Sequence, residues 1–115
     1  MGITLLDLFR SGNASSAGLD RVRIIGQDPD VTTYVDPATG ATFVQADGKG
    51  VSTWDAPGTS WTGKTWVLPK GSSYPDTLIV WNDDPNHWTW AAAADMSFAD
   101  YQAALATANA LFVKI

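Results

Sequence analysis

Gly48-Lys49-Gly50-Val51-Ser52-Thr53-Trp54-Asp55 carries a glycine-bearing turn straight into a short polar and aromatic strand, just before the middle of the chain. Glycine tolerates positive φ and lets another molecule approach the backbone closely. Ser52 and Thr53 bring hydroxyls, and Trp54 brings a flat apolar face with one donor. A turn, two hydroxyls, an aromatic and an acid within eight residues suit a small polar ligand with a ring. The same residues also read as a plain hairpin turn feeding a strand. On either reading Asp47–Gly50 is a reversal and Val51–Trp54 a strand, so the neighbouring segments belong to a β-meander.

Toward the N-terminus, Thr42–Gln45 and Val31–Val35 flank Asp36-Pro37-Ala38-Thr39-Gly40, the pattern of a hairpin with a four- or five-residue loop. Asp28-Pro29-Asp30 is a turn, and Arg21–Ile25 alternates basic and apolar residues as a strand does. Ser11–Gly18 is rich in breakers and reads as a loop. Thr4 with Asp7 resembles a capping box, Ile3 with Leu8 a staple, and Leu5, Leu8 and Phe9 one apolar face. Those signals predict a short helix ending at Arg10.

Toward the C-terminus, Lys64–Leu68 reads as a strand, and Pro69–Asp76, with two prolines and a glycine, as irregular. Thr77–Trp81 is apolar and β-branched, a buried strand, followed by a turn at Asn82–Asn86. His87-Trp88-Thr89-Trp90 puts His87 and Thr89 on one face and both tryptophans on the other. Ser97 as cap, Asp100 three residues on, and Met96 with Tyr101 as staple open a final helix. Its apolar face is Phe98, Tyr101, Leu105, Ala108 and Phe112. The expected fold class is α+β, one domain over 1–115, of mostly antiparallel strands with a helix at each end.

Composition narrows the function classes. A chain of 115 residues is about one domain. Cysteine is absent and histidine occurs once, which excludes disulfide scaffolds and thiolate metal sites. Seven basic residues, spread along a chain of net charge −5, argue against tracking a nucleic-acid backbone. No apolar run approaches a membrane span, and the N-terminus has no basic-then-apolar leader pattern. All twelve acids are aspartate. The six tryptophans all lie in the second half, where they can pack a core or stack on ligand rings.

Walker loops, G-x-G-x-x-G and G-x-S-x-G are all missing. A serine hydrolase would have to recruit His87 as base, and no aspartate is singled out by spacing to orient it. Asp28/Asp30 and Asp83-Asp84 stand beside prolines, as solvated turn-formers do. His87, opening an aromatic strand after a turn, is expected at a sheet end near solvent. There it can hydrogen-bond a ribose or phosphate, or move a proton.

Leu8-Phe9-Arg10, Gly50–Asp55, Trp66-Val67-Leu68-Pro69-Lys70-Gly71-Ser72, His87–Trp90 and Asp95-Met96 before the last helix follow one another in an order that resembles the small cytotoxins of type VI secretion. The similarity runs from about Gly48 to Leu105. It implies an ADP-ribosyltransferase-like, split antiparallel β-core, with a cleft between two small sheets that takes NAD. It further implies Arg10 at the adenosine-side phosphate or ribose, Ser52 and Thr53 scaffolding the nicotinamide pocket, Trp54 or Trp66 stacking on that ring, and His87 as the family's histidine. The catalytic set so implied is Ser52, Thr53 and His87. Enzymes of this broad fold mostly carry a glutamate on the ribose 2′-hydroxyl; here Asp95 or His87 would have to replace it. A cytoplasmic NAD-dependent toxin, exported if at all without a cleaved signal peptide and checked by a cognate immunity or antitoxin protein, is the resulting expectation. The competing one is a non-catalytic Trp-rich module for carbohydrate or protein, or a small phage or secretion structural protein.

Overall fold

The computed structural model describes residues 1–115 as an α+β fold of eleven short strands and one helix. Six strands form the main sheet: β2 (Leu8–Gly12), β5 (Gly50–Trp54), β6 (Lys64–Leu68), β8 (Leu78–Asp84), β9 (His87–Ala92) and β11 (Val113–Lys114). Their order is β11-β6-β2-β5-β9-β8, and every pairing is antiparallel. A second sheet joins β3 (Thr33–Val35), β4 (Thr42–Val44) and β10 (Met96–Ser97) in the order β10-β4-β3. A two-stranded ribbon pairs β1 (Gly2–Ile3) with β7 (Ser73–Tyr74).

The helix α1 (Phe98–Asn109) follows β10 directly, with Ser97 as its N-cap: Ser97 Oγ accepts from the Asp100 N–H at 3.1 Å. Tyr101, Leu105 and Ala108 on its inner face are buried against the sheets, with Phe112 just beyond. Tyr101 donates its phenol to the Trp90 carbonyl at 2.7 Å, and burial pushes its pKa upward. The core they meet holds Leu8, Val51, Leu68 and Trp90, all from the inner face of the main sheet.

The N-terminal helix expected from Thr4 and Asp7 does not form; the segment enters β2 instead. The capping-type side chains are used elsewhere. Thr4 Oγ1 donates to the Pro69 carbonyl and accepts from the Ser72 N–H, and Asp7 Oδ1 accepts from Lys70 N–H. They fasten the turn after β6, so the donors a helix end would have offered are not needed. Arg21–Ile25 is likewise not a strand. It belongs to an irregular segment closed by Arg23 and Asp30: Asp30 N–H donates to the Arg23 carbonyl, Arg23 N–H donates to Asp30 Oδ2, and the two side chains form an ion pair.

The strand expected at Thr77–Trp81 exists but is not buried. As β8 it is the edge of the main sheet, and its outer-facing Ile79 and Trp81 are exposed. It also runs on through Asp83 and Asp84, leaving only Pro85 and Asn86 to turn. Asn86 sits at φ 66, a left-handed value that asparagine adopts more readily than most residues. The Pro69–Asp76 stretch expected to be irregular contains the two residues of β7. By contrast the β3–β4 hairpin, β5, β6, β9 and the C-terminal helix stand where the sequence places them.

Candidate active site

Strand β5 alternates between two environments, and that alternation builds the site. Val51 and Thr53 face the core, whereas Gly50, Ser52 and Trp54 face outward. On β9 the expected split holds: Trp88 and Trp90 turn inward, and His87 and Thr89 line the outer face with Ser52. The register pairs Ser52 with Thr89 and Trp54 with His87, so His87 lies diagonally across from Ser52. Their side chains meet, with His87 Nε2 2.8 Å from Ser52 Oγ.

The other ring nitrogen, Nδ1, is 2.6 Å from Asp83 Oδ1. Asp83 is the extra residue of a β-bulge: Asn82 opposes Trp88 and Asp84 opposes His87, with Asp83 unpaired between them. Asn82 Nδ2 pins the bulge by donating to the carbonyls of Asp84 and His87. Thr89 Oγ1 donates to Asp83 Oδ2 at 2.9 Å. Partial burial alone would push the Asp83 carboxyl up, but hydrogen bonds from His87 and Thr89 outweigh it and hold it below the usual carboxylate range. An ionised carboxylate only accepts, so Nδ1 carries the proton. With the ring in its neutral form, Nε2 accepts and Ser52 Oγ–H is the donor. Ser52 Oγ thus lies at the end of an Asp–His–Ser chain, its oxygen made more electron-rich by the imidazole behind it.

This chain stands on the wall of a cleft of about 480 Å³, walled by the outer faces of β5, β8 and β9 and by the Asp47–Gly50 turn. Its far side is Arg23, Asp28, Pro29 and Asp30 of the irregular segment. The cleft therefore lies between the main sheet and a loop, and not between two sheets as expected. A second lobe of about 410 Å³ adjoins it, lined by Arg10, Arg21, Arg23, Asp30, Ser52 and Trp54. Arg23, Asp30 and Ser52 line both lobes, which makes one groove with Ser52 at its waist.

The expected site residues divide. Ser52 and His87 are brought together, and Trp54 stands next to them, its ring edge-on to His87 with centroids 5.5 Å apart. Arg10 lines the second lobe, but its guanidinium is bound to protein: it donates to the carbonyls of Ala17, Gly18 and Ser52. Thr53 is not in the cleft. It is fully buried on the opposite face, donating to the Trp88 carbonyl and accepting from Trp90 Nε1. Trp66 is not there either; it lines neither lobe and donates to the Asn13 carbonyl, holding down the loop after β2. Asp95 does not replace the missing glutamate, because both its oxygens are taken by the β3–β4 region, by Tyr34 Oη–H and by Ala46 N–H.

Asp83 is the residue that sequence reasoning missed. Asp83-Asp84-Pro85-Asn86 has the composition of a solvated turn, and the bulge that aims Asp83 inward leaves no compositional mark. The available signal is spacing: an aspartate four residues before a histidine across a two-residue turn can reach back to it.

An outward-facing histidine stands between a carboxylate and a hydroxyl on the wall of a polar groove. A family model described as Tse2 ADP-ribosyltransferase toxin matches residues 7–114, and the chain belongs to that family. The match covers every element that builds the groove, which agrees with the resemblance in the ordered motifs. No curated protein and no solved structure matches the chain.

Proposed function

We propose that this chain is an NAD-consuming toxin whose reaction centre is Ser52, with His87 behind it and Asp83 orienting His87. The supporting observation is the unbroken Asp83–His87–Ser52 hydrogen-bond chain opening on a groove, in a member of an ADP-ribosyltransferase toxin family. NAD fits the chemistry of the groove. The nicotinamide ring is cationic, and the larger lobe carries Asp28, Asp30, Asp47 and Asp83. In the reaction the ribose C1′–nitrogen bond breaks and nicotinamide leaves with the electron pair. C1′ gains positive character, and an acceptor oxygen or nitrogen bonds to it and releases a proton. Ser52 Oγ faces the region where that charge develops, and an electron-rich oxygen stabilises it. His87 Nε2 is the base within reach of the proton the acceptor gives up. The acceptor is a side chain of a target molecule or water. Trp54 is the aromatic wall beside the reacting atoms.

The toxin acts in the cytoplasm of a producing or recipient cell, and a cognate immunity protein keeps it silent in the cell that makes it. Export, where it occurs, follows the type VI route and leaves the chain uncleaved. The test is expression in a susceptible host together with NAD turnover by the purified chain. Growth arrest and release of nicotinamide are expected, and Ser52→Ala or His87→Ala should lower both by about 10²-fold or more. Full toxicity in either variant overturns the assignment. The tryptophans do not favour the competing binding-module reading. Four of their indole N–H groups are used internally, on Asn13, Gly48, Asp55 and Thr53, so those donors are not offered to a ligand.

A further inference from the structure

We propose that Arg21 and Arg23, and not Arg10, form the phosphate-binding end of the groove, taking the diphosphate of a ring-bearing nucleotide; this rests on the NAD reading above. Three of the seven basic residues of the chain line one six-residue lobe, against a single carboxylate, Asp30. The chain as a whole is acidic, so a local excess of arginine marks a place where negative charge is received.

The three arginines are not equivalent. Arg10 is half-buried, and its Nε, Nη1 and Nη2 each donate to a backbone carbonyl, of Ala17, Ser52 and Gly18. Burial opposes its charge, although it stays ionised. Strands β2 and β5 are paired only at Phe9–Trp54. Beyond that point Arg10 bridges from β2 to the Ser52 carbonyl and ties both to the loop at Ala17 and Gly18. It is a positioning residue, with most of its donors already committed. Arg21, on the same irregular segment as Arg23, is exposed and its guanidinium has no partner within the chain. Arg23 is exposed too, and a single ion pair at 3.2 Å to Asp30 leaves most of its donors open. Guanidinium forks match phosphate oxygens in pairs, which makes these two the groups able to grip a diphosphate.

The placement also orients the ligand. Ser52 belongs to both lobes, with its carbonyl bound to Arg10 and its hydroxyl to His87. A molecule with a diphosphate on Arg21 and Arg23 therefore presents its next ribose at Ser52 and extends its cationic end among the aspartates. Trp54 lines the arginine lobe and supplies a stacking face beside the phosphates.

The experiment measures binding of ADP and of inorganic pyrophosphate, which need no cleavage chemistry, by calorimetry on the full chain, alongside the Michaelis constant for NAD. Arg21→Gln, Arg23→Gln and the double variant are compared with the parent and with Arg23→Lys. Arg21→Gln removes an exposed group with no hydrogen bond or ion pair inside the chain, so it reports on binding with little effect on folding. Each single glutamine variant should weaken ADP and pyrophosphate by about fivefold or more and raise KM for NAD with kcat little changed; the double variant should abolish pyrophosphate binding. Arg23→Lys should recover part of the loss. Unchanged ADP affinity in Arg21→Gln and in the double variant overturns the proposal, whatever the chain does to NAD. Arginine-dependent ADP binding without any nicotinamide release would keep this site and overturn the NAD-cleavage reading instead.

Discussion

Replacing Asp83 by asparagine changes one atom and removes the charge that fixes the His87 ring. Asparagine can offer its amide N–H to Nδ1, which favours the tautomer with the proton on Nε2, pointing at Ser52. The hydroxyl of Ser52 then loses its acceptor. Asp83→Asn is expected to keep the fold, to lower kcat for NAD cleavage by about 10²-fold, and to leave KM within a few-fold, read from initial rates. A drop in KM-dependent binding alone, with kcat intact, would assign Asp83 to substrate contact. At this scale the sequence was informative where chemistry is rare and silent where it is common. The one histidine is a scarce feature, and so is a serine within a strand that ends in tryptophan; both line the groove. Asp83 is one of twelve aspartates and sits among turn-formers. Thr53 was expected beside Ser52, yet strand geometry places adjacent residues on opposite faces. The two hydroxyls could not share a cleft unless β5 were irregular, and it is not.

Among the elements, the β5–β9 pair determines whether the site exists, and Gly50 determines how closely the pair approaches. A Cβ at Gly50 would overlap the Trp90 carbonyl and crowd the backbone N of Ala91. Gly50→Ala should therefore push the strands apart at the end of the ladder that carries Val51–Trp90 and Ser52–Thr89. The expected cost is about 1–3 kcal/mol of stability, measured by urea unfolding, with toxicity falling by more than the folded fraction explains. The two chain ends show when local signals suffice. Ser97, Asp100 and Met96 act on the helix that immediately follows them, so the C-terminal element was legible from ten residues. Thr4 and Asp7 are the same kinds of residue, but their partners are Pro69, Lys70 and Ser72, more than sixty positions away. A hydroxyl and a carboxylate satisfy any nearby backbone donor, and only the tertiary arrangement says which. The Arg21–Ile25 alternation failed for a related reason. No sheet edge reaches it, and Asp30 closes the segment on itself.

On the scale of the molecule, acid should weaken the fold at the site first. The Asp83 and Asp47 carboxyls are raised by burial but lowered further by hydrogen bonds, and Asp95 is lowered by Ala46 N–H and Tyr34, so all three bind protons less readily folded than unfolded. Such groups stabilise the native state above the unfolded value of about 3.9, and that contribution disappears as pH falls through the lower folded values. The thermal midpoint is expected to change little on this account between about pH 5 and 7 and to fall below about pH 4, followed by calorimetry; Asp83→Asn should flatten part of that fall. The α+β class was legible from strand-length segments and one capped helix. The order of strands was not, since nothing local to Leu8–Gly12 says that it lies between β5 and β6. That placement has its own outcome. The earliest long strand of the chain fills the middle of the main sheet, flanked by partners made much later, and the last strand, β11, closes one border. The main sheet is therefore built largely from pairings between residues far apart in the chain, the kind of topology that folds slowly. Until β9 is made and paired with β5, nothing holds Ser52 and His87 together.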